Sequence, residues 1–422
     1  MNALTASPFI ADDQARRVFT AAELHAPVPV PIFGPCSPFF LPDAPRLMPN
    51  GPQRIGVLTG GGDCPGLNAA LRAVTKSLIL QHNAEVVGIR DGYRGLIERN
   101  VQPLSYQDMS GILTQGGTIL GASNKANPFN YQPRGGADVS AQVVSTYQSL
   151  DLNALVAIGG DGTMSIAHGL TDMGVDIVGV PKTIDNDLAG TDRTFGFDTA
   201  VSIATEAIDR IHTTAQSHHR VMIIETMGRY AGWIALHAGV ASGTDIILIP
   251  EIEYDIDEVA QVCIERQQGG QRFTIIAIAE GAKSQSGERV VREEVEKTTD
   301  TVRFGGIGRT LDDQLQQRLD SEVRTTILGH MQRGGTPTAY DRNLATVFGA
   351  RAAALVAEDT FGKMVALQDG DFTEVPLSEV ANQTRTVPLD SPLIASALDV
   401  GTSFGAHDLE TQMTETDPSE LA

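Results

Sequence analysis

The chain has 422 residues and carries 31 Lys and Arg against 52 Asp and Glu, a net charge of −21 at pH 7. This acidic balance argues against sequence-independent binding to nucleic acid or to an anionic membrane, since both need surplus cations. The three cysteines form no CxxC pair, and neither a basic leader nor a run of 18 apolar residues occurs. We therefore expect a cytoplasmic protein, long enough for two or three domains, that holds any anionic ligand with local cations.

The chain divides into a proline-rich beginning, a long body and an acidic end. Ten of the 21 prolines fall within residues 1–52, a density that favours extended chain over a packed fold. Residues 406–422 hold five acids and no Lys or Arg, which is typical of a solvated tail. We therefore place the folded unit at residues 53–405.

Within this unit, short β-branched runs alternate with helical patterns. The predicted strands are 54–59, 154–158, 176–180, 221–225, 246–250, 273–279 and 325–329. Apolar spacings of three and four predict helices between them, one through Leu67, Leu71, Val74 and Leu78 and one through Ala200, Ile203, Ala207 and Ile211. This alternation predicts an α/β fold with a mostly parallel sheet, whose ligands bind beyond the carboxyl ends of the strands.

Two glycine-rich segments each follow a predicted strand and precede a predicted helix. They are GGGDCPGLN at residues 60–68 and IGGDGT at residues 158–163, the second followed by a helix over 164–170. Glycine lets backbone N–H groups approach a phosphate, and Asp161 among such groups can hold Mg²⁺. The structural alternatives are a tight turn at the first segment and an N-cap role for Asp161.

A third segment, PKTIDND at residues 181–187, follows the predicted strand 176–180. It places Asp185 and Asp187 two residues apart beside Lys182 and Thr183. Like charges at a partly desolvated strand end are unfavourable, so this pairing favours a functional site over an Asx-rich turn.

Cations mark a fourth set of segments. Arg220, residues 227–229 (MGR), Arg324 and residues 330–335 (HMQRGG) lie near strand ends, where bidentate Arg suits a phosphate. Glu280 follows another strand and can bind neutral hydroxyls or act as a plain strand-end carboxylate. Glycine loops, a metal carboxylate, a second carboxylate to deprotonate an alcohol, and arginines together predict phosphoryl transfer.

In this order, the motifs resemble those of the 6-phosphofructokinases, which phosphorylate fructose 6-phosphate at its 1-hydroxyl. The resemblance covers residues 53–370 through GGDCPGLNAALR, GGTILGASNK, IGGDGT, PKTIDNDLAGTD, ETMGRYAGWIAL, IAEG and TILGHMQRGG. Residues 371–405 look like the end of a longer bacterial branch that includes pyrophosphate-dependent members. The resemblance implies two α/β lobes, each a mostly parallel sheet with helices on both faces, with the active site in the cleft between them. The larger lobe would hold about 53–196 and a segment after 331, the smaller about 197–331.

The resemblance also implies roles for single residues. Asp185 would be the general base, supported by Thr183 and Asp187, and Asp161 would bind Mg²⁺. The sugar phosphate and the transferring group would contact Met227, Gly228 and the catalytic Arg229. The sugar hydroxyls would contact Glu280, and the 6-phosphate would contact His330 and Arg333. The same substrate would also touch Thr183 and Asp185. ATP would lie on Gly62, Asn124, Lys125, Gly160, Asp161, Gly162 and Thr163, where Asn124 or Lys125 stands for an arginine of the family. Arg220 and Arg324 would reach the site of a neighbouring subunit, which implies a homo-oligomer, most often a tetramer, with a dimer as the alternative.

Two residues bear on the phosphoryl donor. In the family, Asp at the position of Gly162 accompanies pyrophosphate use, whereas Gly leaves room for a nucleotide. Lys182 indicates the opposite, because pyrophosphate users carry Lys there. A Lys can coexist with ATP but a carboxylate beside the α-phosphate repels it, so Gly162 predicts ATP. The alternatives are a pyrophosphate-dependent enzyme and, from another class, a non-catalytic regulatory subunit, which the retained carboxylates Asp161, Asp185 and Asp187 disfavour.

The family's effector site for ADP or phosphoenolpyruvate is only partly matched. Arg72 and Lys76 supply two of its cations. The later positions read His212, Gly269 and Gln271, and Asp245 replaces a Glu. We therefore expect an altered or weakened response to these effectors.

Overall fold

The computed structural model describes residues 53–285, 291–294, 302–304 and 306–407. Its strands are β1 (Arg54–Thr59), β2 (Glu85–Ile89), β3 (Val101–Leu104), β4 (Ala154–Gly159), β5 (Ile177–Thr183), β6 (Phe195–Gly196), β7 (Val221–Thr226), β8 (Ile246–Leu248), β9 (Thr274–Ala279), β10 (Val291–Glu294), β11 (Val302–Phe304), β12 (Val323–Ile327), β13 (Lys363–Gln368) and β14 (Asp371–Pro376). Its α-helices are α1 (Leu67–His82), α2 (Tyr93–Glu98), α3 (Ser140–Ser149), α4 (Asp161–Thr171), α5 (Phe197–His218), α6 (Trp233–Ala241), α7 (Ile256–Gln268), α8 (Ile307–Gln316), α9 (Ala339–Ala357), α10 (Leu377–Val380) and α11 (Pro392–Asp399). The proline-rich extension and nearly all of the acidic tail lie outside the described residues. Within the described ranges, no helix has the length and apolar character that a bilayer crossing needs.

Most strands join one of two sheets. The larger has eight strands in the order β14-β13-β5-β4-β1-β2-β3, with β6 paired to β5. It is parallel except for the outer pairs β13–β14 and β2–β3. The smaller sheet, ordered β12-β7-β9-β8, is parallel throughout, and β10 and β11 form a separate antiparallel pair. The predicted α/β fold with mostly parallel sheets is therefore confirmed.

Helices cover both faces of the larger sheet because its central strands carry apolar side chains on both faces. Ile55 and Val57 of β1 belong to a core that includes Leu71 of α1 and Phe348 of α9. Leu58, which follows Val57, belongs to a second core on the other face. The first core continues through α5 and α6 to the inner face of the smaller sheet, so one apolar layer joins the two sheets.

All seven predicted strands are present, with ends that differ by at most three residues. The largest difference is in β5, which continues through Pro181 to Thr183 because β6 pairs with Lys182 and Thr183. Three residues of the PKTIDND segment are therefore strand rather than loop. The predicted spacing of α1 is confirmed by four buried side chains. In α5, the buried stripe runs through Ala200, Ala204 and Ile208, and the predicted Ile203, Ala207 and Ile211 lie half-buried along its flank.

Six of the predicted segments each follow the carboxyl end of a parallel strand. The neighbouring strands β1, β4 and β5 lead into the first glycine loop (residues 60–63), the second glycine loop (160–162) and the carboxylate loop (184–187). In the smaller sheet, the neighbours β7, β9 and β12 lead into residues 227–229, 280–281 and 328–333. Strand order thus gathers six separated segments at two sheet edges.

Candidate active site

The two glycine loops lie side by side. The N–H of Gly60 donates to the carbonyl of Ile158 at 2.8 Å, and the N–H of Gly61 donates to the carbonyl of Ser123 at 3.3 Å. The predicted nucleotide contacts Asn124 and Lys125 follow Ser123 and are exposed. These segments therefore adjoin one another at the edge of the larger sheet.

The side chain of Thr163 explains why Gly60 and the last residue of β4, Gly159, are glycine. A Cβ added to Gly60 would lie 2.5 Å from Thr163 Oγ1, and a Cβ added to Gly159 would lie 2.3 Å from it. Thr163 is buried, and its carbonyl accepts from the hydroxyl of Tyr93 at 3.0 Å. Thr163 thus packs beneath both loops, a supporting position that its predicted role as a nucleotide contact did not include.

Helix α4 begins at Asp161, not at the predicted residue 164. Its N-cap is Gly160, so the alternative reading of Asp161 as the N-cap is wrong. The carboxylate of Asp161 accepts from Ser165 Oγ at 3.2 Å. The next residue, Gly162, is exposed, and a Cβ placed there would meet no described atom within 4 Å. Protein packing therefore does not require glycine at position 162.

The first glycine loop is held from two directions by cations. Lys182 is buried beneath it, and its Nζ donates to the carbonyl of Gly62 at 2.5 Å. Burial lowers the pKa of Lys182 below its ordinary value. From the smaller sheet, Arg333 Nη1 donates to the carbonyl of Asp63 at 3.2 Å. Arg333 therefore joins the two sheet edges.

The carboxylate loop concentrates negative charge beside the second glycine loop. Burial, followed by the charge of Asp185, raises the pKa of Asp187 to about 7, and Asp161 adds to this effect. A hydrogen bond with the side chain of Thr183 acts in the opposite direction. The predicted residues Asp161, Thr183 and Asp185 therefore all lie within interaction distance of Asp187.

Glu280 brings the smaller sheet into the same electrostatic environment. Burial raises its pKa to about 7, and the negative charge of Asp185 contributes. The guanidinium groups of Arg229 and Arg333 lower it. The structure thus gathers the predicted base, hydroxyl-binding carboxylate and phosphate-binding arginines from both sheets.

Asn186, which the sequence analysis did not single out, gives the carboxylate loop its shape. Its φ of 53° lies in the left-handed region, which Asn tolerates better than most residues. Its side chain donates to the carbonyl of Asp192 at 3.3 Å and accepts from the N–H of Thr194 at 3.0 Å. The N–H of Asp185 donates to Thr183 Oγ1 at 3.1 Å. An Asn between two acidic residues is a turn signal that could have indicated this.

The loops of the smaller sheet are linked by a buried glutamine that the sequence analysis also missed. Gln332 accepts from the N–H of Met227 at 3.3 Å and donates to the carbonyl of Gly329 at 3.2 Å. The N–H of Gly281 donates to the carbonyl of Gly228 at 3.1 Å. Residues 227–229, Glu280 and the turn containing the exposed His330 therefore form one surface.

Arg220 and Arg324 lie apart from this assembly. They stand at the beginnings of β7 and β12, whereas the other predicted substrate contacts follow the ends of those strands. A six-residue strand spans about 20 Å, so the two arginines lie at the opposite edge of the smaller sheet. Both guanidinium groups bind the carboxylate of Glu322. That these two arginines reach the active site of a neighbouring subunit stays a prediction.

The residues present can take part in a magnesium site without completing one. Among the described residues, no group of three or more His, Cys, Asp or Glu side chains is arranged to hold a metal. Asp161, Asp185 and Asp187 nevertheless place mutually repelling carboxylates together, a surplus of negative charge that a divalent cation would relieve. Mg²⁺ is commonly held by one or two carboxylates with water and substrate phosphates, and this donor set fits that pattern.

The raised pKa of Glu280 makes a prediction about stability. In the metal-free and ligand-free protein, we expect Glu280→Gln to raise Tm more at about pH 8 than at about pH 5. Because its pKa rises from 4.5 to about 7 on folding, the stabilisation from the neutral carboxyl is complete below 4.5 and lost as pH rises through 7. Gln stays neutral, so the Tm difference should grow across that window in thermal melts.

Glu98→Gln is the control, since a hydrogen bond from Arg94 lowers the pKa of that exposed carboxylate. Its stabilisation is present above the ordinary pKa of 4.5 and is lost only as pH falls below it, so the Tm difference for Glu98→Gln should stay nearly constant between about pH 5 and pH 8. A Tm difference for Glu280→Gln that stays constant between about pH 5 and pH 8 would contradict the prediction.

Known proteins resemble this chain over most of its length. The sequence pattern of the family described as Phosphofructokinase matches residues 54–356. The chain is 48% identical over 359 residues to ATP-dependent 6-phosphofructokinase 2 of Clostridium perfringens, covering 83% of this chain and 98% of that protein. It is 52% identical over 338 residues to the pyrophosphate--fructose 6-phosphate 1-phosphotransferase of Amycolatopsis mediterranei, covering 80% and 97%.

A solved structure of phosphofructokinase from Saccharomyces cerevisiae is also similar. It superposes with a TM-score of 0.68 at 30% identity, over 87% of this chain and 49% of that one. This chain thus spans about half the length of the yeast chain, whereas it spans nearly the full length of the two bacterial relatives. From its motifs, its fold and these matches, the chain belongs to the phosphofructokinase family.

Proposed function

We propose that this enzyme is an ATP-dependent 6-phosphofructokinase that transfers the γ-phosphoryl group of ATP to the 1-hydroxyl of fructose 6-phosphate, giving fructose 1,6-bisphosphate and ADP in glycolysis. The observation that carries the proposal is that the charge of Asp185, on the larger sheet, adds to the burial that raises the pKa of Glu280, on the smaller sheet, so the base and the acceptor side share one electrostatic environment. Arg229 and Arg333 lie within reach of the same carboxylate.

The proposed chemistry assigns one task to each group. Asp185 accepts the proton of the sugar hydroxyl as that oxygen attacks the γ-phosphorus. Arg229 stabilises the charge that develops on the transferring group, and Glu280 binds sugar hydroxyls. His330 and Arg333 bind the 6-phosphate. Catalysis of this kind depends mainly on positioning and on charges placed in advance.

Mg²⁺ is proposed as the cofactor, with Asp161 as its protein ligand. When bound, it would neutralise charge on the donor phosphates. Asp187 and Thr183 would support the carboxylate arrangement around it. The charges of Asp185 and Asp161 add to the burial that raises the pKa of Asp187, which supports this assignment, since a cation would favour the ionised form of Asp187.

The donor is proposed to be ATP because no described atom lies within 4 Å of a Cβ at Gly162. That space can take a donor larger than pyrophosphate. The second candidate, pyrophosphate, is favoured by Lys182 and by relatives named for that donor at 52% and 51% identity. In this structure, however, Lys182 Nζ binds the carbonyl of Gly62, so it supports the first glycine loop instead of facing Gly162.

Initial rates with fructose 6-phosphate and either MgATP or magnesium pyrophosphate test the proposal directly. We expect turnover with ATP and little with pyrophosphate. Appreciable activity with pyrophosphate alone would overturn the ATP assignment. Absence of activity with both donors, together with retained binding of sugar phosphate, would favour the regulatory-subunit alternative.

A homotetramer is proposed, with a dimer as the alternative. Arg220 and Arg324 support it, because they lie far from the site of their own chain. The division into a larger lobe, about 53–196 with a segment after 331, and a smaller lobe, about 197–331, follows the distribution of strands between the sheets. A cytoplasmic location is proposed, and the free thiols of Cys64 and Cys263 support it.

We predict weak inhibition by phosphoenolpyruvate, because groups at the partly matched effector positions are occupied internally. Asp245 binds Arg266 at 2.7 Å and accepts from the N–H of Ile275 at 2.8 Å. Lys76 Nζ lies 3.9 Å from the centre of the Tyr106 ring. Initial rates at subsaturating fructose 6-phosphate, with and without the effector, measure the response. Strong inhibition at low effector concentration would contradict the prediction.

A further inference from the structure

A short segment near the end of the described chain, residues 384–387, crosses between the two halves of the site. We call it the C-terminal strap. Thr384 forms an antiparallel bridge with Leu188, directly after the carboxylate loop. The N–H of Arg385 donates to the carbonyl of Asp187 at 2.8 Å. The strap therefore runs along the carboxylate loop as an added extended segment.

The same strap is fastened to the first turn of α6, next to the smaller sheet. Trp233 Nε1 donates to the carbonyl of Arg385 at 3.2 Å. Glu251 accepts from the N–H of Val387 at 2.9 Å and also from the N–H of Gly232, the N-cap of α6, at 3.0 Å. One four-residue segment thus connects the carboxylate loop to the element that follows residues 227–229.

The side chain of Arg385 makes a second connection between the carboxylate loop and α6. Its Nη1 donates to the carbonyl of Asn186 at 3.0 Å, and its guanidinium carbon lies 4.2 Å from the centre of the Trp233 ring. The negative charge of Asp192 is felt at Arg385, and the backbone carbonyl of Asp192 accepts from the side chain of Asn186. Arg385 therefore contacts the left-handed residue that separates Asp185 from Asp187.

We propose that Arg385 is a positioning residue for the carboxylate loop. By binding Asn186 and stacking on Trp233, it holds Asp185 and Asp187 in place relative to the substrate-binding loops of the smaller sheet. A planar guanidinium is suited to this because it donates hydrogen bonds in its plane and stacks through its face. The proposal rests on the proposed role of Asp185 as the base.

A loop held in a left-handed conformation depends on its surroundings, and small displacements of a base reduce turnover steeply. We therefore expect Arg385→Met, which keeps length but loses charge and donors, to lower kcat by roughly 10- to 100-fold. KM for both substrates should change by less than about threefold, since Arg385 is not assigned a substrate contact. Arg385→Lys keeps the cation over Trp233 and should recover most of the lost turnover.

Arg351→Met is the matched control, because Arg351 is also half-buried and binds Glu374 at 3.1 Å in the outer part of the larger sheet. It should leave kcat unchanged. Wild-type kcat in Arg385→Met would overturn the proposal. So would a retained kcat with a KM for fructose 6-phosphate raised tenfold, which would make Arg385 a substrate contact.

Trp233 gives a readout that does not require activity, since it is the only tryptophan of the chain. Loss of the stacked guanidinium should change its emission and its quenching by acrylamide in Arg385→Met but not in Arg351→Met. An unchanged signal would show that the contact is absent in solution. If wild type is inactive with both donors, the proposed function fails, while fluorescence still tests the strap separately.

If Arg385→Met does not fold, Trp233→Phe is used instead to test the contact between Arg385 and Trp233. It removes the indole donor to the strap and weakens the stack, so kcat should fall several-fold at nearly constant KM. In the double variant Trp233→Phe/Arg385→Lys, the fold-loss of kcat should be smaller than the product of the fold-losses in the two single variants. Both substitutions act through one contact, so their effects should not be independent. Wild-type kcat in Trp233→Phe would overturn the proposal.

Discussion

Replacing Asp185 by Asn should reduce kcat by about 10²–10⁴-fold and change KM for fructose 6-phosphate by less than about threefold. The amide keeps the shape of the side chain and loses the ability to accept a proton. Asp185→Ser should likewise lower kcat strongly and leave KM for fructose 6-phosphate nearly unchanged. Steady-state kinetics with MgATP measures both parameters. Near-normal turnover in either variant would exclude Asp185 as the base.

The same variant has a second consequence that does not depend on catalysis. The charge of Asp185 contributes to the raised pKa values of Asp187 and Glu280. Asp185→Asn should therefore bring both pKa values closer to ordinary, and thermal melts should show a weaker loss of stability with rising pH. Asp151→Asn is the control: Asp151 is exposed at the other end of the larger sheet, in a left-handed conformation that Asn accepts.

Replacing Gly162 by Asp should lower kcat/KM for ATP by roughly 10²–10³-fold. Two like charges about 5 Å apart repel by about 3 kcal/mol at an effective dielectric constant near 20, which corresponds to that factor. A Cβ at this position meets no described atom within 4 Å, so the fold should tolerate the change. Activity with pyrophosphate, where present, should not fall by the same factor, because that donor has no α-phosphate for the new carboxylate to repel.

Gly162→Asn separates charge from size, since it fills the same space without a net charge. Initial rates of both variants with MgATP and with magnesium pyrophosphate give the comparison, and Tm checks that each variant is folded. An equal loss of ATP use in the Asn and Asp variants would assign the effect to size. Undiminished ATP use in Gly162→Asp would show that residue 162 does not select the donor.

The strands and the motif positions were predictable from sequence because both are local. A strand buried on both faces must be a continuous apolar run, and a loop that approaches phosphate needs glycine and a following helix. The runs that became β1, β4, β5, β7 and β9 were therefore recognisable. Helix-forming spacing in α1 identified its buried face for the same reason.

Contacts between distant segments were harder to predict from the sequence. Nothing in the local pattern marks Gln332 as the link between Met227 and Gly329, or Thr163 as the side chain that packs against Gly60. Arg385 lies in a segment that was compared only as a family tail, yet it contacts Asn186. Such roles depend on neighbours far apart in the chain, so residue type and spacing do not reveal them.

By itself, the sequence determined the α/β fold class, the family and the chemical types of the groups at the strand ends, because these depend on local apolar periodicity and short motifs. Only the tertiary structure decided strand order, and with it which loops share an edge. It also decided the environment of each group, including the burial that raises the pKa of Glu280 to about 7 and the open space beside Gly162. The physical reason is that desolvation, charge proximity and steric room arise from packing between segments that lie far apart in the sequence.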